Sequence, residues 1–173
     1  EDSTMEMIDV ATKTVTDRVA TGAEPEGVIN SVDGKYTFVT SEVADMVHVV
    51  DRAKSAVIKN IIVGTRPRRF VVTPDGAELW VSDELSSEVH VIDLAAMEVK
   101  QVLTLVPPGF QPEDVTPVGM AITRDGSKVL ITLGRANHLA IVDAKTFEVL
   151  KYVLVGSRAW DVDLTSDEKT AFV

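Results

Sequence analysis

Cysteine is absent from the 173-residue chain. That excludes disulfides, thiolate metal sites and c-type haem attachment. No apolar run approaches the roughly 18 residues that cross a bilayer as a helix, so membrane insertion is not expected. No window sustains a helical hydrophobic period either. Positive charge is scarce: 17 Lys and Arg stand against 27 Asp and Glu, a formal net charge of −10. Nucleic acid and anionic membranes both demand a basic surface, so neither is expected as a partner. Phosphate-binding Gly-rich loops, a Gly-x-Ser-x-Gly elbow and closely spaced His pairs are missing too. Ser, His and Asp occur, but no spacing assembles them into a triad, and no catalytic residue is assigned.

What the chain does have is repetition. VHVVD at 47–51 returns as VHVID at 89–93, 42 residues later. The Asp that ends this motif recurs as Asp9, Asp51, Asp93 and Asp143, at steps of 42, 42 and 50. A turn recurs as SVDG at 31–34, TPDG at 73–76, TRDG at 123–126 and TSDE at 165–168. Gly22, Gly64 and Gly156 follow apolar runs in the same rhythm. Three markers that agree on the period, and on where eight extra residues fall, establish a true repeat.

Each unit reads as four short strands. In the second, PRRFVVT (67–73), AELWVSD (77–83), EVHVID (88–93) and 99–105 are rich in Val, Ile and aromatics and bounded by turn residues. Four antiparallel strands in about 42 residues is the size of a propeller blade. The expected fold is therefore an all-β propeller, single-domain over 1–173. Its units are 1–25 (half), 26–67, 68–117, 118–159 and 160–173 (half). A seven-bladed ring would need on the order of 290 residues, so the sequence reads as a piece of a larger ring or as a small one. Complementary half-units also allow 170–173 to pair with 5–9. Pairing within the chain would give four blades, and pairing between two copies a homodimeric ring of eight.

The segment PEGVINSVDGKYTFVTSEVADMVHVVD (25–51) resembles the YVTN type of β-propeller repeat. The stretch TLGRANHLAIVDAKTFEVLKYVLVGSRAWDVDLTSDEK (132–169) resembles the periplasmic propeller proteins associated with PQQ-dependent catabolism. That resemblance implies a periplasmic or extracellular protein working beside quinoprotein alcohol dehydrogenases, with no firmly assigned activity.

Three residue groups are candidates for chemistry. The repeated aspartates suit turns, where a carboxylate binds nearby backbone N–H groups, better than a metal site, which would need convergence. His48 and His90 share one column of the third strand, and His138 lies in the loop RANH (135–138); structural roles are expected for all three. The third group is a set of arginines. Loops from the last strand of one unit to the first of the next open on one face of a propeller. They carry Arg66, Arg68, Arg69, Arg158 and Trp160, and the loops between second and third strands add Arg135 and His138. Arg suits bidentate capture of carboxylate or phosphate, so this channel mouth is a candidate site for a small anion or a protein partner. The competing expectation is that the arginines pair with Glu24, Glu26, Glu113, Asp114 and Asp161. The insertion VPPGFQPEDVTP (106–117) is a further candidate contact loop, with Phe110 as an exposed apolar tip.

Two function classes follow: a non-catalytic binding or scaffold module without a cofactor, or a propeller enzyme such as a lactonase or quinoprotein dehydrogenase. A lactonase would gather carboxylates and a divalent metal at the mouth, where arginine is expected instead.

Overall fold

A computed structural model describes residues 3–173 as sixteen β-strands and one short 3-10 helix. Three sheets of four antiparallel strands follow one another in meander order. The first blade contains β3 (Pro25–Asn30), β4 (Tyr36–Ser41), β5 (Met46–Asp51) and β6 (Ala56–Ile62). The second contains β7 (Pro67–Val72), β8 (Glu78–Asp83), β9 (Glu88–Asp93) and β10 (Glu98–Thr104). The third contains β11 (Pro117–Ile122), β12 (Lys128–Leu133), β13 (His138–Asp143) and β14 (Val149–Leu154). Two-stranded sheets flank them: β1 (Thr4–Asp9) with β2 (Thr14–Ala20), and β15 (Asp163–Leu164) with β16 (Ala171–Phe172). The first strands of successive sheets, β3, β7, β11 and β15, lie side by side. That is the blade arrangement of a β-propeller.

The turns are made as the aspartates require. Asp33 Oδ1 accepts from Ser31 Oγ and the Lys35 amide, and Asp75, Asp125 and Asp167 repeat the arrangement with Thr73, Thr123 and Thr165. The following Gly34, Gly76 and Gly126 sit at φ of 70°, 72° and 69°, which glycine adopts without strain. At the end of each third strand Asp9, Asp51, Asp93 and Asp143 bind the amides of the next turn. Hydrogen bonds to the charged form hold all these carboxyls below the ordinary range, Asp125 at about 2 through Thr123 first.

The core lies between blades. Phe38, Val47 and Val49 of the first meet Phe70, Leu79 and Val81 of the second. Trp80, Val89 and Val91 of the second meet Met120, Ile131 and Leu133 of the third. Middle strands are thus covered on both faces, while the outer strands β6, β10 and β14 are largely exposed.

A buried hydroxyl fixes the register of neighbouring blades. Thr40 Oγ1 accepts from the Gly27 amide at 2.7 Å and donates to the carbonyl of Arg68 in the next blade at 3.2 Å. Ser82 Oγ repeats this, accepting from the Arg69 amide and donating to the carbonyl of Val118 at 2.6 Å. Each first strand carries a register shift beside this contact, between Pro25 and Val28, Pro67 and Phe70, and Pro117 and Met120. Gly27 permits the approach, because a Cβ there would stand 2.2 Å from the Arg68 carbonyl oxygen.

Two sequence expectations differ from the structure. β1 pairs with β2 and β16 with β15, without a ladder joining 170–173 to 5–9, so the chain does not close into four blades. Each terminal pair closes its hydrogen bonds with its own chain neighbour across a short turn, Lys13 to Asp9 at one end and Thr165 to Thr170 at the other. Nor does the 106–117 insertion present Phe110 as an exposed tip. It folds through a turn at Pro107–Phe110 and a 3-10 turn at Pro112–Asp114. Ser87 Oγ donates to the carbonyls of Pro112 and Val115, and Phe110 packs against the core and edge-on to the His138 ring.

Candidate functional site: the channel-mouth face

Two kinds of loop build the face on which the sequence places its arginines. Left-handed φ occurs in the loops between blades at Glu24 (54°) and Arg66 (61°), each directly before its first strand, and at Arg158 (54°), a few residues ahead of β15. Such conformations cost non-glycine residues of order 1 kcal/mol or more and need external support. Here side chains from the loops between second and third strands supply it. Asp45 Oδ1 accepts from the Arg66 amide at 2.9 Å, and Asn137 Oδ1 from the Arg158 amide at 2.8 Å. Thr116 Oγ1 likewise holds the Arg135 amide at 2.9 Å. The backbone carrying the arginines is therefore set in advance of any ligand.

Their guanidiniums fall into two groups. Arg68 is 8 % exposed and lies between Glu42 and Glu84, bonding Glu42 through Nη1 and Glu84 Oε2 through Nε and Nη2 at 2.6 Å each. Arg66 Nε reaches Glu42 Oε2 at 2.8 Å and Glu84 Oε2 at 3.4 Å. Its bond to Glu42 holds its proton more firmly than an ordinary arginine's. Arg69 Nη1 bonds Glu26 Oε1 at 2.9 Å, and Arg68 stands 3.6 Å from the same oxygen. Three guanidiniums thus face three carboxylates, a closed network in which each charge compensates the others. Trp160, 40 % exposed, presents its ring 5.4 Å from the Arg68 guanidinium carbon, a cation–π contact at the edge of the network.

Arg135 and Arg158 are different. Both are exposed, and neither has a carboxylate at ion-pair distance among the described residues. Arg135 Nη1 bonds only the Glu113 carbonyl, at 3.3 Å. Close by in sequence, His138 donates from Nδ1 to the Ala136 carbonyl at 2.6 Å, which leaves Nε2 as an acceptor. The structure thus ties Arg66, Arg68 and Arg69 together with glutamates and leaves Arg135 and Arg158 open. Of the five acidic partners expected from sequence, only Glu26 pairs with these guanidiniums. Glu42 and Glu84 take the other places. They were missed, although their spacing of 42 residues in loops of the same face marked them as a repeat column.

The two paired histidine positions also part company. His48 Nε2 accepts from the Gly22 amide at 2.8 Å, so Nδ1 carries the proton and donates to Asn60 Oδ1 at 2.7 Å. His90 turns Nδ1 to Asp83 Oδ2 at 2.8 Å. Asp83 is fully buried, and desolvation raises its carboxyl to about 6 even against the His90 hydrogen bond. Among the described residues no three His, Asp or Glu side chains are arranged to hold a metal ion.

Fold and rim together define a β-propeller with one pre-organised, arginine-bearing face. Comparison with known proteins agrees on the class and gives the family. The chain belongs to the YNCE-like β-propeller family, whose model matches residues 1–168. No curated protein matches by sequence. Among solved structures, Kuenenia stuttgartiensis hydrazine synthase is similar, with 25% identity and a TM-score of 0.90 over 98% of this chain and 48% of that one. The Cps50 (Swd1) β-propeller domain of Myceliophteria thermophila gives 16% and 0.83, over 98% and 55%. A protein from Bacteroides uniformis provisionally described as a 6-phosphogluconolactonase gives 17% and 0.77, over 98% and 57%. The chain spans about half the length of these structures, and the last two likenesses concern the fold alone.

Proposed function

We propose that the chain is a non-catalytic binding module, exported, that engages an anionic ligand or an acidic protein surface at the open side of its channel-mouth face. The reading places it beside a PQQ-dependent alcohol oxidation system, as the resemblance of residues 132–169 suggests. One observation carries it: Glu26, Glu42 and Glu84 are consumed by Arg66, Arg68 and Arg69, while Arg135 and Arg158 keep unneutralised guanidiniums on supported backbone. The same donor set speaks against a lactonase, which would need carboxylates free to converge on a metal. Trp160, beside Arg68, adds a stacking surface, and His138, three residues after Arg135, a hydrogen-bond acceptor.

The test is calorimetric titration of succinate, phosphate and a purified PQQ-dependent alcohol dehydrogenase at two salt concentrations. Binding should weaken with salt, and Arg135→Ala and Arg158→Ala should each reduce affinity by about tenfold, the loss of one charge-assisted hydrogen bond. Absence of binding to all three, or affinity indifferent to both variants, would return these residues to a structural role.

A further inference from the structure

The Asp83–His90 pair has no counterpart in the other two full blades. In the same two columns the first blade carries Ser41 and His48, a neutral arrangement in which Ser41 Oγ donates to the Ala23 carbonyl at 2.6 Å and both ring nitrogens of His48 are bonded. The third carries Leu133 and Ala140, with nothing to titrate. In the second blade, Asp83 Oδ2 meets His90 Nδ1, while Oδ1 has no hydrogen-bond partner among the described residues. Ser86 Oγ, three residues on, is buried and unpartnered there as well.

Burial weighs most against ionisation of this carboxyl, and Glu88, its ladder partner on β9, adds to that; His90 favours the anion, and the Gly64 amide does so most weakly. β7 places the uncharged Pro67 opposite it, and β10 places Val102 opposite His90. The cations Arg66 and Arg68 are turned to Glu42 and Glu84 instead. The 106–117 insertion, which carries Glu113 and Asp114, meets the β8–β9 loop at Ser87. That loop also carries Glu84. The Glu84 amide donates to the Arg66 carbonyl at 3.0 Å and the Leu85 amide to the Thr65 carbonyl at 3.1 Å, which closes the loop onto the segment ahead of β7. A Cβ on Gly64 would stand 2.4 Å from Ser86 Oγ and 2.8 Å from Asp83 Cβ, so the two segments are in direct contact. Burying a neutral carboxyl with one oxygen unbonded costs far less than burying an anion, whose unanswered oxygen reaches water only if this contact opens. We propose that Asp83 and His90 form a proton-operated latch on the β8–β9 loop: protonation of the carboxyl holds the loop shut, with Glu84 on Arg66 and Arg68, and loss of the proton eases the loop open and frees those two arginines. The latch acts on the closed arginine set and does not depend on binding at Arg135 or Arg158.

Backbone amide hydrogen exchange on the intact chain tests it, with Glu42 as the internal reference. The Glu42 amide donates to the Glu24 carbonyl at 3.1 Å, the same bond one repeat earlier, beside Ser41 instead of Asp83. Opening returns the carboxyl from about 6 towards its ordinary 3.8, so the latch is complete below about pH 4 and weakens as pH rises through about 6. After correction for intrinsic exchange rates, protection of Glu84 and Leu85 relative to Glu42 should fall about tenfold between about pH 5 and pH 7.5. Asp83→Asn, and Asp83→Ser, which installs the residue of the first blade, should each leave that ratio independent of pH. A constant ratio in the parent, or a pH dependence that survives in either folded variant, would overturn the proposal.

Discussion

On one face of the same arc, arginine occurs in two electrostatic settings. On the side of the first and second blades, Arg68 is buried among Glu42, Glu84 and Glu26, with Arg66 and Arg69 completing the set. On the side of the third blade, Arg135 and Arg158 project from equally well-supported backbone without acidic partners. The difference arises in the loops between second and third strands, which place Glu42 and Glu84 in the first two blades and Gly134 at the same column in the third. A single column thus decides whether an arginine becomes part of the architecture or stays available. The lesson is that charge count on a face says little about binding until each charge has been assigned its partner.

Removing the buried cation breaks this comparison most directly. Arg68→Met leaves Glu42 and Glu84 buried with only Arg66 to answer them. Loss of one member of a buried charged network typically costs roughly 3–5 kcal/mol. Urea denaturation should show a loss of that order, with the midpoint shifted and the slope preserved. A loss under about 1 kcal/mol would mean that the network is solvated and worth no more than surface pairs.

Asp83 gives a smaller effect with a defined pH course. Its folded carboxyl titrates near 6, above the usual value of 3.8, because burial penalises the anion. The folded state therefore binds this proton more tightly than the unfolded state. Its stability contribution is complete below about pH 4 and is lost as pH rises through about 6. Two pH units correspond to roughly 3 kcal/mol at most. Asp83→Asn should match the parent at pH 4 and exceed it by about 2 kcal/mol at pH 7.5. A difference that does not change with pH would show that His90 compensates the charge fully.

The smallest expected effect sharpens the contrast from the other side. Arg135→Ala and Arg158→Ala should each change stability by less than about 0.5 kcal/mol, as exposed charges without partners do. Thermal melts of both variants beside Arg68→Met would place the two sides of the face on one scale. A loss above about 1 kcal/mol in either would reveal a structural duty that the geometry does not contain.

Much of this was legible before any coordinates. The spacing of Asp9, Asp51, Asp93 and Asp143, with the turns at 31–34, 73–76 and 123–126, marked the repeat, and the four strands of the second blade fall within a residue of where the sequence put them. A repeat constrains its own reading, because each unit must satisfy the same local rules. The turn role of the aspartates was legible for the same reason: a side chain that bonds the backbone two residues on needs nothing distant. The candidate face was read only in part. Partners for its arginines were expected in the loops that join successive blades, whereas Glu42 and Glu84 stand in the loops between second and third strands.

What the sequence determined by itself was the local and periodic content: all-β blades, their turns, and the side of the blades on which each loop opens. These follow from short-range hydrogen bonding and from alternation along strands, which repeat whenever the residues repeat. Only the tertiary structure decided which charges meet. Glu42 and Glu84 reach Arg68 because adjacent blades bring their loops together, Phe110 turns inward against the core and the His138 ring, and β1 and β16 each pair with their own chain neighbour rather than with each other. Coulomb attraction and packing act through space, and blade-to-blade geometry sets those distances in a way that no single repeat encodes.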